Sequence, residues 1–228
     1  MKIVIKILIF LLLVTKPSFA SYIDTDAEVA VVIDAHTGTV LFEKEKDKKT
    51  YPASMTKIMT TLIVFEKLEN GTLTLDDKFL VSERAWKERE GSSMFVEVDK
   101  EIRVEDLLRG IIVQSGNDAC IVIAENIAGT ENAFAQMMTE KAIDIGLKNT
   151  NFTNSTGMHD PKNYSTAHDI AILSQYLINN FPKHYHLFSE TEFEWSGIKQ
   201  KNRNPLLYKN MGVDGLKTGH LSKSGYGL

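Results

Sequence analysis

Ser54-Met55-Thr56-Lys57 sets a hydroxyl and a primary amine three residues apart. On a helix, positions i and i+3 share a face, so the two side chains come within contact range. A serine hydroxyl needs a base to become a nucleophile. A partly desolvated lysine near the positive end of a helix dipole has its ammonium form disfavoured and can serve as that base. The same helix start turns free backbone N–H groups toward the serine, an arrangement suited to holding an oxyanion. The spacing alone is weak, since chance gives about one such pair in a chain of this composition. A second pair, Ser196 and Lys199, encloses Gly197 and precedes a polar run, which predicts a strand or turn surface rather than an aligned helical face.

Lys217-Thr218-Gly219 is rarer, with about 0.1 occurrences expected by chance. On a strand edge its lysine and threonine can hold a carboxylate while the glycine lets a substrate backbone approach; its plain alternative is a strand-ending turn. Ser115-Gly116-Asn117 adds a hydroxyl and an amide on a loop, with a helix N-cap as the bland reading. Cys120 lies in an apolar run and reads as a buried thiol rather than a nucleophile. His184-Tyr185-His186 would set two imidazoles on one side of a strand, but no third ligand stands nearby, so partly exposed histidines are preferred over a metal site.

These groups need elements to position them. Residues 27–33 and 39–42 flank a Thr37-Gly38 turn and predict a β-hairpin. Residues 53–68 are spaced as a helix, with Ile58, Leu62, Phe65 and Leu68 on one stripe, Pro52 at its start and Asn70-Gly71 after its end. A polar stretch over 82–99 precedes apolar helices at 104–113 and 119–127, parted by the Ser115 break. Residues 149–166 form a long polar loop. Thr166-Ala167-His168-Asp169 fits a capping box, which gives His168 and Asp169 a structural role. Residues 213–219 predict a strand, 222–225 a turn, and 226–228 the start of a return strand.

The 228 residues are 43% hydrophobic and 25% charged, an ordinary globular composition. The one cysteine excludes a disulfide scaffold and a cysteine-built zinc site. Lys2 and Lys6, an apolar run over 7–14 and small residues before Ser21 read as an export signal over residues 1–20, too short to span a membrane. Three lysines leave with it, which takes the net charge from −4 to −7 and leaves 208 residues. That charge argues against nucleic acid as a partner.

A serine-lysine pair on a helix, a Ser-x-Asn loop and a Lys-Thr-Gly strand, in this order, are the signature of penicillin-recognising serine enzymes. The chain resembles the D-alanyl-D-alanine carboxypeptidases, the low-molecular-mass penicillin-binding proteins of serine peptidase family S11. The likeness extends to residues 51–57, 115–118, 154–160 and 213–220 and covers essentially the whole exported chain. It implies an α/β (α+β) fold of the β-lactamase and penicillin-binding-protein transpeptidase type, an antiparallel sheet flanked by helices with a helical subdomain. It further implies Ser54 as the nucleophile and Lys57 as its base, Ser115 as a proton relay, and Asn117 on the substrate backbone. Lys217, Thr218 and Arg203 would hold the terminal carboxylate, with Gly219 beside it; the N–H groups of Ser54 and His220 would form the oxyanion hole. Arg203 stands slightly closer to Lys217 than in the relatives, and Leu221 replaces their usual threonine.

The implied reaction removes the terminal D-alanine from peptidoglycan stem peptides through a Ser54 acyl-enzyme, without cofactor or metal, and β-lactams would acylate the same serine. An endopeptidase cutting cross-links is a second reading. A class A β-lactamase is disfavoured because no Glu-x-x-x-Asn occurs between Ser115 and Lys217. A third reading is an inactive wall-binding fragment. The expected location is the periplasm or the outer face of the cytoplasmic membrane, with membrane attachment only through a C-terminal anchor not seen here. Because the family continues past the Lys-Thr-Gly strand, residues 21–228 are expected to be a peptidase domain truncated at its C-terminus, and the chain alone to be poorly folded or inactive.

Overall fold

The computed structural model describes residues 24–88 and 90–228; the export signal expected over residues 1–20 lies outside them. The N-terminal hairpin is β1 (Ala30–Ile33) paired antiparallel with β2 (Val40–Lys44), and Gly38 takes φ 73 in the connecting turn. A 3₁₀ turn, Ala53–Thr56, then runs directly into α1 (Lys57–Glu69), so the serine falls in the tight turn and the lysine opens the α-helix. The sequence pattern predicts a single apolar stripe on this helix. Instead residues 57–65 are all buried, because α1 runs through the centre of the molecule and meets a neighbour on every side.

The remaining elements follow in order. β3 (Lys78–Leu80) pairs antiparallel with β4 (Glu101–Arg103), and between them lies α2 (Glu83–Lys87), capped by the Ser82 hydroxyl accepting from the Ala85 N–H. α3 (Val104–Ile112) and α4 (Asn117–Ala128) are the two apolar helices expected on either side of Ser115. The sequence reading omits α5 (Glu131–Ile145), which Thr130 caps and Gly146 ends in the left-handed region. It buries Phe134, Ala135, Met138 and Ala142, a face narrow enough to hide among polar neighbours. α6 (Ala167–Asn180) opens as expected, with the Thr166 hydroxyl accepting from the Asp169 N–H at 3.0 Å. The Asp169 carboxylate accepts from the Asn149 N–H and the Thr150 hydroxyl, both at 2.7 Å, and His168 meets Asp47 at 3.3 Å. Both residues are structural.

Two expectations need correction. His184-Tyr185-His186 lies in α7 (Pro182–Tyr185) and the 3₁₀ turn His186–Ser189, not on a strand, since Pro182 pre-sets the helical φ at the first position. His184 is buried against Phe65, with ring centroids 5.1 Å apart, and only His186 is exposed. The strand expected over 213–219 begins only at Gly219: β7 (Gly219–Leu221) pairs with β8 (Gly225–Gly227), and the three residues of each are one another's partners. A ladder exists only where both chains supply it, and the described residues offer none to 213–218. Ser196 and Lys199 lie at the turn and on the second strand of the hairpin β5 (Glu192–Trp195) and β6 (Ile198–Lys201), bonded to Glu97 and Glu192.

Among the described residues the strands stand as four two-stranded antiparallel sheets. The helices build the core: Met59, Leu62, Val64 and Phe65 of α1 pack with Leu107, Leu108 and Ile111 of α3, Ile121–Ala124 of α4 and Phe134 of α5. Each fully buried large apolar side chain contributes roughly 1.5–3 kcal/mol relative to exposure. No helix among the described residues is long and apolar enough to cross a membrane.

Candidate active site

Burial of α1 carries its first residue inward. Lys57 is 1% exposed, and its ammonium donates to the Ser54 hydroxyl at 3.1 Å, to Asn117 Oδ1 at 2.7 Å and to the Thr156 carbonyl at 2.5 Å. Burial pushes the Lys57 amine well below its ordinary value, and the opposing influences of Cys120, Asp118 and Glu131 only partly offset this. Asn117 Oδ1 and the Thr156 carbonyl are obligate acceptors. A neutral amine would keep its two hydrogens on them and turn its lone pair toward the Ser54 O–H, which is the geometry a general base requires.

Three loops complete the centre. Ser115 is buried at φ 60, a left-handed conformation that non-glycine residues adopt mostly under constraint. Asn117 begins α4; its Nδ2 donates to the Glu90 carbonyl at 2.8 Å. Next to it, Asp118 accepts from the Met94 N–H (2.9 Å), the Val96 N–H (3.0 Å) and the Ser93 hydroxyl (2.7 Å), which fixes the wall formed by residues 90–96. The loop that offers the Thr156 carbonyl comes extremely close to the serine turn: a Cβ on Gly157 would lie 1.8 Å from the Ala53 carbonyl oxygen.

β7 closes the other flank. A Cβ on Gly219 would lie 3.0 Å from the Pro52 carbonyl oxygen and 3.3 Å from the Ser54 N–H nitrogen, so a larger residue would fit only if that turn gave way by a few tenths of an ångström. Lys217 is 4% exposed and donates to the Thr218 carbonyl at 3.0 Å. Burial, with the positive charges of Lys57 and Arg203 adding to it, pushes its amine down to about 7. Thr218 is half-buried, and the exposed His220 stacks on Tyr226 with centroids 4.2 Å apart. Arg203 is exposed and donates to Gln200 Oε1 at 3.2 Å; Asn204, bonded to the Gly215 carbonyl at 2.9 Å, ties its loop to the segment carrying Lys217.

Of the nine residues singled out in the sequence, the structure joins Ser54, Lys57 and Asn117 by hydrogen bonds and lays Gly219 against the serine turn; Ser115 lies two residues before Asn117, Lys217, Thr218 and His220 adjoin Gly219 in the chain, and Arg203 is exposed on a separate loop. Sequence reasoning missed Thr156, Asp118 and Glu90, whose contributions run through backbone carbonyls or a loop-holding carboxylate. Cys120 is fully buried in α4, and burial raises its thiol to about 12, so it stays protonated. A cavity of about 490 Å³ lies behind this centre, lined by β1, Pro52, Ala53, Met55, Lys217 and β8. Its lining is mostly apolar and includes Lys217 and Gly219 but not Ser54, Lys57 or Asn117. Among the described residues no group of three His, Cys, Asp or Glu side chains is placed to hold a metal ion.

The family model described as D-alanyl-D-alanine carboxypeptidase, peptidase S11, matches residues 15–228. The chain belongs to the D-alanyl-D-alanine carboxypeptidase family. It is 42% identical over 205 residues to the D-alanyl-D-alanine carboxypeptidase DacA of Haemophilus influenzae, a match covering 89% of this chain and 52% of that protein. Its fold superposes on penicillin binding protein 5 of the same organism with a TM-score of 0.89 at 40% identity, covering 91% of this chain and 61% of the other. Penicillin-Binding Protein D2 of Listeria monocytogenes, solved in its cefotaxime-bound form, gives a TM-score of 0.80 at 28% identity over 90% of this chain and 83% of that one. The chain spans about half the length of the curated family members it matches. The transpeptidase-like α/β architecture implied by the sequence motifs is therefore the fold of this family.

Proposed function

We propose that the chain carries the reacting groups of a serine-type D-Ala-D-Ala carboxypeptidase acting on peptidoglycan stem peptides at the cell envelope. The observation that carries this reading is the buried Lys57 amine, 3.1 Å from the Ser54 hydroxyl and saturated on its other hydrogens. Lys57 takes the Ser54 proton as the Oγ–carbonyl bond forms; the N–H groups of Ser54 and His220 hold the oxyanion. The C–N bond to the terminal D-alanine then breaks, and the amine leaves with a proton passed on by Ser115. Water releases the acyl group and restores the serine. Asn117 bonds the substrate backbone, and Lys217, Thr218 and Arg203 take the terminal carboxylate, a charge that suits a site lined by cations.

Cephalosporin binding by the Listeria relative, together with the match of fold and motifs, supports β-lactams as acylating agents of the same serine. Incubation of the full chain with fluorescent penicillin followed by peptide mass spectrometry tests the reading. Where the chain gives a cooperative melt, the expected result is an adduct on Ser54, none in Ser54→Ala, and release of D-alanine from a peptide ending in D-Ala-D-Ala; a chain that does not melt cooperatively bears out the expectation of a truncated domain instead. Label retained in Ser54→Ala overturns the carboxypeptidase reading.

A further inference from the structure

One carboxylate outside the reacting cluster reaches it through a single residue. Ser155 is fully buried, and all three of its polar groups are held: its N–H and hydroxyl donate to Glu131 Oε1 at 3.0 and 2.6 Å, and its carbonyl accepts from the Thr60 hydroxyl at 2.7 Å. The next carbonyl along the chain, that of Thr156, is the one that takes a Lys57 proton. Glu131 opens α5 and is 9% exposed; its second oxygen pairs with Arg84 of α2, which also meets Glu125 of α4 at 3.1 Å. Burial acts to raise the Glu131 carboxyl, but the Ser155 and Arg84 hydrogen bonds outweigh it and hold the group ionised, below its ordinary value. Asn154 grips the same turn from its other side, its Oδ1 accepting from the Thr156 N–H at 3.2 Å and the Gly157 N–H at 2.7 Å.

We propose that Glu131 is a positioning residue for the base: it pins Ser155 so that the Thr156 carbonyl stays on Lys57 Nζ, and its negative charge favours the protonated amine. The proposal rests on the reading of Lys57 as the base. The charged and titratable groups facing that amine are Asp118 and Cys120 of α4, Glu131 of α5 and Lys217 ahead of β7. Cys120 is neutral and Lys217 is cationic or neutral, so Asp118 and Glu131 are the anions. Asp118 is committed to the 93–96 loop, whereas Glu131 acts on a direct partner of the amine.

The test compares the full chain with Glu131→Ala, Glu131→Gln and Ser155→Ala in three measurements: thermal melting, the pH profile of penicillin acylation, and the midpoint of the Lys57 ¹³Cε NMR titration. In Glu131→Ala the loss of a fixed acceptor and of an anion both disfavour the ammonium. The acid limb and the NMR midpoint should therefore move to lower pH by about half a unit or more, and the acylation plateau should fall about tenfold. Glu131→Gln keeps an oxygen for Ser155; it should recover most of the plateau while its limb stays shifted. A purely structural carboxylate would lower the melting temperature and leave limb and midpoint in place, which would overturn the proposal. If Glu131→Ala fails to fold, the midpoints of Glu131→Gln and Ser155→Ala decide it in the same way. A parent chain that penicillin does not acylate, but whose Lys57 midpoint shifts in these variants, would sink the carboxypeptidase reading while upholding the coupling of Glu131 to the Lys57 amine.

Discussion

Asn117 accepts from the Lys57 amine at 2.7 Å with its carbonyl end while its amide end donates to the Glu90 carbonyl at 2.8 Å. Only one orientation of the amide satisfies both partners, since Lys57 and a backbone carbonyl demand opposite ends. The side chain expected to bind substrate backbone is thus also the brace between the base and the wall formed by residues 90–96. Both roles fit an amide whose carbonyl oxygen has a second lone pair.

Removing that brace leaves a buried amine short of an acceptor and a backbone carbonyl short of a donor. Asn117→Ala should cost about 1–3 kcal/mol of stability for each orphaned group and slow penicillin acylation on the order of 100-fold. Denaturant unfolding and stopped-flow acylation check the two effects separately.

Asp118→Asn changes one atom's chemistry and little of its shape. It sets an NH₂ group against donors that now meet a carboxylate oxygen, whichever way the amide turns. The expected loss is about 2–4 kcal/mol, with residues 92–96 losing hydrogen-exchange protection before the helical core does. Uniform loss of protection across the chain would contradict the loop-holding role.

Burial lowers the Lys217 amine from its ordinary 10.5 to about 7. Its folded value is depressed, so the unfolded chain binds the proton more tightly; this group's contribution to stability is fully present above pH 10.5 and is lost as pH falls toward 7. A ligand carboxylate beside Lys217 reverses the balance and draws the proton back. Binding of a carboxylate ligand near pH 8 should therefore take up a fraction of a proton, detectable as a buffer-dependent heat in calorimetry. Lys217→Met should abolish that dependence and weaken binding of a carboxylate ligand.

Gly157→Ala should be among the most damaging single substitutions in the chain. The added carbon meets the Ala53 carbonyl oxygen at 1.8 Å, and Gly157 also holds φ 83. Either the 154–158 loop or the serine turn must move. We expect acylation to fall by at least about 100-fold in a protein whose far-ultraviolet circular dichroism remains near that of the parent.

The sequence made the Ser54–Lys57 pair readable because its geometry is local: three residues at a helix start place both side chains on one face. The Thr166 cap and the helices flanking Ser115 were legible for the same reason. The Lys57–Thr156 bond spans 99 positions and ends on a backbone carbonyl, which carries no residue signature. Glu131 and Ser155 look in the sequence like surface polar residues, and only packing of α5 against the 154–157 loop reveals their bond. The strand expected over 213–219 begins only at Gly219 because a ladder needs a partner, and the described residues supply one only to 219–221. The sequence marks one apolar stripe on α1, and the full burial of residues 57–65 is hidden by Thr60 and Thr61, polar residues that also lie inside.

Gly157 and Gly219 both press on the serine turn; a methyl group finds no room at Gly157 and only a tight fit at Gly219. Neither contact therefore offers a mutational step that leaves the aim of the nucleophile untouched.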